Sequence, residues 1–248
     1  MHKAFLTALM LLATTGTAAP AMADTGAAHA IPIAATYGAS HPRVALFLSG
    51  DGGWNQGVVS MAQTAAGKGY LVAGIDFPKY LHERQSTAGA CIPLGADLLA
   101  TAAAIEKQHG LSTSQPPLLI GYSSGATGVY ATLLDAAPGT FQGGLSLGFA
   151  PDLDTTHPIC TAANLPPRPD AKLGFVYPSA ARLVSPWVAL QGEIDLDVSP
   201  PATRAFVERV GNATIVMLPK VGHGFSVERN WMPQFKSALD TLGKLAIR

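Results

Sequence analysis

Five residues near the middle of the chain, Gly121-Tyr122-Ser123-Ser124-Gly125, read G-x-S-x-G, the spacing of a serine set up as a nucleophile. A short apolar run, Pro117-Leu118-Leu119-Ile120, leads into them, and small residues from Ala126 to Ala131 follow. Strand, glycine-flanked serine and helix together make a nucleophile elbow. The glycines permit a sharp turn and close packing, which lifts the serine oxygen clear of the sheet. With 26 glycines in 248 residues, chance supplies such a pattern about one time in ten, and a glycine-rich turn with capping serines would look the same. The pattern therefore needs partners.

A hydroxyl is a poor nucleophile near neutral pH. It needs a base within hydrogen-bond reach, and the base needs an orienting acid. In the α/β-hydrolase arrangement the chain order is serine, acid, histidine, with the last two on loops after later strands. Of seven histidines, only His223 lies beyond the penultimate expected strand, in Val221-Gly222-His223-Gly224-Phe225. His157 breaks the order, and the others precede the serine. The acid belongs in Gly192-Glu193-Ile194-Asp195-Leu196-Asp197-Val198. Here Asp195, in a G-x-x-D-x-x-V spacing, is favoured, with Asp197 in reserve and Asp152 or Asp154 behind it. The oxyanion of a tetrahedral intermediate needs backbone donors. The amides expected are those of Ser124, after the nucleophile, and Asp51, in Ser49-Gly50-Asp51-Gly52-Gly53-Trp54. Trp54, Tyr122, Glu193 and Asp197 are the candidate substrate-binding side chains.

The elements that must position these groups are legible as alternating runs. Strands are expected at Val44–Leu48, Tyr70–Asp76, Pro117–Ile120, Leu145–Phe149, Pro186–Gln191 and Ala213–Leu218, with a further outer strand at Ala30–Ala35. Helices are expected from about Trp54 to Lys68, Gly95 to Gln108, after Ser123, Pro201 to Val210 and Met232 to Leu245. This alternation implies an α/β fold with a mostly parallel sheet covered by helices on both faces. Residues 151–185, rich in Pro, Asp and Ala, read as an irregular excursion or lid over one α/β domain spanning 24–248.

Residues 1–23 read as a cleaved secretory signal peptide: a basic start, an apolar run to Ala19, and Ala21-Met22-Ala23 as the cleavage site. No later segment offers the eighteen or so apolar residues of a membrane span. Sixteen basic residues balance sixteen acidic ones without a basic run, which excludes a nucleic-acid partner on electrostatic grounds. Cys91 and Cys160, the only cysteines, suit a single disulfide in an oxidising compartment. Neither has metal-ligand spacing, so no metal and no cofactor are expected.

Leu48-Ser49-Gly50-Asp51-Gly52-Gly53-Trp54, the Gly121-Tyr122-Ser123 elbow with Gly125-Ala126, Gly192-Glu193 with Asp195, and Gly222-His223-Gly224-Phe225 together resemble the bacterial virulence proteins of the VirJ/AcvB family. The resemblance runs from about Arg43 to the last helix, at the size of the single-domain VirJ type. It implies a periplasmic protein of α/β-hydrolase fold, linked to type IV secretion components as partners. For the AcvB type it also implies hydrolysis of lysyl-phosphatidylglycerol, an aminoacyl ester of a membrane lipid. The residue after the nucleophile is often Phe in the family and is Ser124 here, which bears on substrate shape. Asp51, Asp76, Asp152, Asp154, Glu193 and Asp197 all fall at expected strand ends, where open α/β sheets bind ligands. Such a rim favours a cationic group, although the same acids also serve as caps and turn formers. The expectation is an exported serine esterase acting through an acyl-enzyme on a small-molecule or lipid ester. The alternatives are a generic carboxylesterase or thioesterase, or a non-catalytic adaptor.

Overall fold

The computed structural model describes residues 28–38, 43–111 and 115–245; the expected signal peptide lies outside the described residues. Ten strands occur among the described residues: β1 (Ala35–Tyr37), β2 (Arg43–Leu48), β3 (Tyr70–Ile75), β4 (Leu118–Tyr122), β5 (Gly143–Leu147), β6 (Asp152–Leu153), β7 (Arg168–Asp170), β8 (Gly174–Val176), β9 (Arg182–Gly192) and β10 (Gly211–Leu218). Seven of them form the main sheet in the order β1-β3-β2-β4-β5-β9-β10. Every pairing in it is parallel except β1 with β3. The C-terminal ends of the six parallel strands therefore open on one side, and the loops leaving them carry the candidate residues.

Alternation along each strand explains why the strands read as continuous apolar runs. Val44, Leu46 and Leu48 of β2 enter one hydrophobic cluster while Ala45 and Phe47 enter the other. Both faces are buried, so neither position can be polar. Helices α1 (Gln56–Gly67) and α6 (Met232–Leu245) cover one face, through residues such as Val58, Met61, Phe235 and Leu239. Helices α2 (Phe77–Gln85), α3 (Leu94–Gln108), α4 (Ser124–Asp135) and α5 (Pro200–Val207) cover the other, through Tyr80, Leu98, Tyr130 and Phe206.

Three local features differ from expectation. Helix α2 follows β3 directly. Asp76 caps it by accepting the Lys79 amide, and Pro78 sits in the first turn, where no intrahelical donor is needed. It buries Phe77, Tyr80, Leu81 and Arg84 on one face. Arg84 Nε and Tyr80 Oη both donate to Asp97 Oδ2 on α3, each at 2.9 Å, in an ion pair with almost no exposure. At the N-terminal end, residues 30–34 do not form the outer strand, which is β1 instead. The Ile31 amide is taken by Thr101 Oγ1 and the His29 amide by Asp97 Oδ1, so side chains replace a ladder.

The stretch 151–185 carries regular structure: β6, β8 and β7 form a small antiparallel sheet, and β9 begins within it at Arg182. This excursion is fastened to the end of α2 and the segment after it at three points. Gln85 Oε1 accepts from Thr156 N at 2.6 Å, Ile92 pairs with Ile159, and Cys91 and Cys160 form a disulfide.

Candidate active site

Strand β4 ends at Tyr122 and α4 begins at Ser124, so the whole reversal falls on Ser123, at φ 53° and ψ −122°. A positive φ at a residue with a side chain is strained by about 1–3 kcal/mol and persists only where the surroundings impose it. They do so here. The Ser123 amide donates to Leu147 O of β5 at 2.9 Å, and Gly121 packs so closely on Gly125 that a Cβ would overlap its carbonyl. Gly125 in turn lies against the carbonyls of Leu48 and Ser49.

Ser123 Oγ lies 2.9 Å from Nε2 of His223, and His223 Nδ1 lies 2.9 Å from Oδ2 of Asp195. With Asp195 ionised, the favoured tautomer keeps the proton on Nδ1, which donates to the carboxylate. Nε2 is then free to accept from the serine hydroxyl. The Asp195 side chain is wholly buried. Burial works against its charge, but the Val198 amide, His223 and Gln191 outweigh it and hold the carboxyl below the ordinary aspartate value. Asp197, the reserve acid, brings a carboxylate oxygen only to within 4.8 Å of the other two groups. Its amide donates to Asp195 Oδ1 instead.

The loop bearing His223 is held from several sides. Tyr122 Oη donates to the His223 carbonyl at 3.1 Å, and the Phe225 ring meets Tyr122 edge-on. Trp231 Nε1 donates to the Phe225 carbonyl at 2.6 Å. Burial, followed by the charges of Asp195, Asp197 and Asp51, pushes the Tyr122 phenol above its usual value, so it stays a neutral donor.

The Ser49–Trp54 loop passes directly over the elbow: a Cβ on Gly50 would sit 3.0 Å from the Cβ of Ser123. Asp51 and Ser124 line the same cavity as Ser123, and no hydrogen bond to either backbone N–H occurs among the described residues. A developing oxyanion requires backbone donors of this kind beside the nucleophile.

The cavity measures about 620 Å³. Helix α2 supplies Pro78, Leu81, His82 and Gln85 to one wall, and the excursion supplies Asp152, Leu153 and Asp154. Its carboxylates are those of Asp51, Asp152, Asp154 and Asp197, and no Lys or Arg lines it among the described residues. Burial, reinforced by Asp170, raises the Asp152 carboxyl above the ordinary value despite an opposing backbone hydrogen bond.

Two of the four candidate substrate-binding residues, Tyr122 and Asp197, line this cavity, and two do not. Trp54 packs beneath the sheet edge, edge-on to Phe47, with its indole N–H directed to Tyr37 Oη. Glu193 is exposed and its amide pairs with Leu218 O. Asp76 of the expected acidic rim is spent on capping α2. Sequence reasoning missed the α2 wall, whose signal was the Asp76 cap with apolar residues at helical spacing after it. It also missed Gln191, a polar strand end that carried no signal.

This architecture is the α/β-hydrolase fold. Solved structures with the same fold include the monoacylglycerol lipase of Paleococcus ferrophilus (TM-score 0.55, 15% identity, covering 85% of this chain and 98% of that one). The esterase domain of a Rhodothermus marinus protein is similar (0.53, 17% identity, 83% and 90%), as is Est1E of Butyrivibrio proteoclasticus (0.54, 12% identity, 83% and 89%). At these identities the likeness establishes the fold. Residues 42–142, from β2 past the elbow helix, match the family described as Bacterial virulence protein (VirJ), the family the motifs resemble. No curated protein matches the chain.

Proposed function

We propose that this protein is a serine hydrolase that cleaves a carboxylic ester through an acyl-enzyme. The observation that carries this reading is the unbroken chain from Ser123 Oγ through the His223 ring to Asp195, with both links at 2.9 Å. Ser123 attacks the ester carbonyl while Nε2 of His223 takes the hydroxyl proton, and buried Asp195 stabilises the imidazolium. The amides of Asp51 and Ser124 receive the oxyanion. His223 then returns the proton to the departing alcohol, leaving the acyl group on Ser123. Water, deprotonated by the same imidazole, attacks the acyl-enzyme and regenerates the serine. Residues 24–248 act as one domain, with the excursion as a wall of the cavity. The disulfide suits an exported, periplasmic setting.

The favoured substrate is an aminoacyl-phospholipid such as lysyl-phosphatidylglycerol. Supporting it are the VirJ match and a cavity with four carboxylates and no lining Lys or Arg, which suits a cationic aminoacyl group. A fluorophosphonate probe tests the mechanism: Ser123 labels in the folded wild type and Ser123→Ala does not. Unlabelled Ser123 in folded protein would overturn the hydrolase reading in favour of a binding scaffold for secretion components. Lysine release from lysyl-phosphatidylglycerol vesicles tests the substrate. Cleavage of simple esters without lysine release would leave a generic esterase.

A further inference from the structure

We infer that Gln191 is a positioning residue of this site, its side-chain amide holding the Asp195 carboxylate in the attitude from which it receives the His223 Nδ1 proton. The inference rests on the proposed role of His223 as base. Gln191 is the penultimate residue of β9, four before Asp195 and opposite Met217 of β10, and it has no solvent exposure. Its Nε2 donates to Asp195 Oδ2 at 3.0 Å. That oxygen also faces His223 Nδ1, whereas Oδ1 is occupied by the amides of Asp197 and Val198 at 3.0 and 2.9 Å. Backbone donors thus fix one oxygen of the carboxylate, and Gln191 is the side chain that fixes the other independently of histidine.

The opposite end of the same amide is unsatisfied. Gln191 Oε1 is buried and finds no hydrogen-bond partner among the described residues. An orphaned buried acceptor is unfavourable, and an apolar residue of similar shape would avoid it. Rotating the amide by half a turn would not help, because Oε1 would then meet the negative Oδ2. The orientation with N–H toward Asp195 is held by that charge and by the Gly192 carbonyl, which accepts from the same Nε2 at 3.3 Å, and the stranded oxygen is the cost of keeping a donor there.

A donor on Oδ2 does two things. Together with Nδ1 it prevents the carboxylate from swinging out of the imidazole plane. It also draws charge from the oxygen, so the carboxylate attracts the imidazolium less strongly. Other groups facing the pair are Tyr122 from β4, Asp51 from the loop after β2, Asp197 from the same loop as Asp195, and Asp152, Asp154 and His82 around the cavity. None of them changes when Gln191 is replaced.

The test uses Gln191→Met, which keeps volume and removes the donor, and Gln191→Glu, which is near-isosteric and adds an acid beside Asp195. The His223 ring is titrated by NMR, its signal assigned by its loss in His223→Gln. Its pKa is expected to rise by about half to one unit in Gln191→Met, a three- to tenfold gain in proton affinity, and further in Gln191→Glu. The acidic limb of kcat/KM on a soluble acetyl ester moves with it, and KM stays within twofold. An unshifted His223 titration in a folded variant overturns the inference, even if stability falls, because a merely structural amide would change Tm alone. Should Gln191→Met fail to fold, Gln191→Glu carries the measurement. A shifted titration in a protein whose Ser123 never labels would sink the hydrolase reading while the hold of Gln191 on Asp195 stands.

Discussion

Gly50→Ala isolates the contribution of the loop over the elbow. Gly50 has no positive φ that alanine would resist, so the effect comes from space alone. The added methyl would lie 3.0 Å from Ser123 Cβ and 3.0–3.1 Å from the Tyr122 ring, where carbon atoms normally sit about 3.5–4.0 Å apart. The elbow cannot yield, because Ser123 is held by the β5 ladder and by Gly121 against Gly125. The loop must retreat instead, by about 0.5–1 Å. Asp51 is the next residue, and a donor serving an oxyanion at 2.7–3.1 Å is carried out of range by such a shift. Losing one oxyanion donor costs about 3 kcal/mol of transition-state stabilisation, so kcat is expected to fall about a hundredfold. KM on a short soluble ester should change little, since the ground-state carbonyl depends less on that amide. Steady-state kinetics with a chromogenic acetyl ester reads both constants, and thermal unfolding checks that the variant is folded. Gly67→Ala, where a methyl meets nothing within 4 Å, is the control and should leave kcat unchanged. A folded Gly50→Ala protein with kcat within threefold of wild type would refute the assignment of the oxyanion donor to this loop.

Asp195 titrates below its ordinary value in the folded protein, so its ionised form contributes stability that is fully present above about pH 4 and lost as the pH falls through the folded value. The Tm difference between wild type and Asp195→Asn should therefore be level above about pH 5 and shrink below pH 4; a difference that grows with acid would contradict the sign. The disulfide closes a loop with a sequence separation of 69, so Cys91→Ser with Cys160→Ser should lower unfolding free energy by up to about 4 kcal/mol in urea titrations. Trp54→Phe should leave KM within twofold because the ring lies outside the cavity. It should reduce stability by about 1 kcal/mol through loss of the hydrogen bond to Tyr37, measured by chemical denaturation.

The parts of this molecule that could be read from sequence are those in which one physical requirement dominates. Parallel strands buried on both faces must be largely apolar, so Val44–Leu48 and Tyr70–Asp76 declared themselves. The elbow needs glycine at two fixed places, and the order of Ser123, Asp195 and His223 follows the order of the strands. Helix α2 was obscured because Phe77-Pro78-Lys79-Tyr80 places a proline where a helix reading expects continuity, although a first-turn proline is harmless. The sheet of β6, β7 and β8 has strands of two or three residues, too short to show any period. Trp54 was drawn toward the site by its place in the loop sequence, but its bulk is used to pack against Phe47. The amide of Gln191 carries no local signal, since its partner becomes a neighbour only when the loop after β9 folds back.

Ser123 and His223 are one hundred residues apart, and their meeting depends on β5 and β9 lying between them in the sheet. The loop after β2 must already be seated against the elbow, while the histidine arrives only after β10, the last strand, has docked. Contacts of such long range form late, after the entropy of closing large loops has been overcome. A nascent or partly unfolded chain therefore carries every reactive side chain but no assembled site. Reactivity of Ser123 should consequently appear in one step with the final docking of β10, making the probe that labels it a reporter of completed folding.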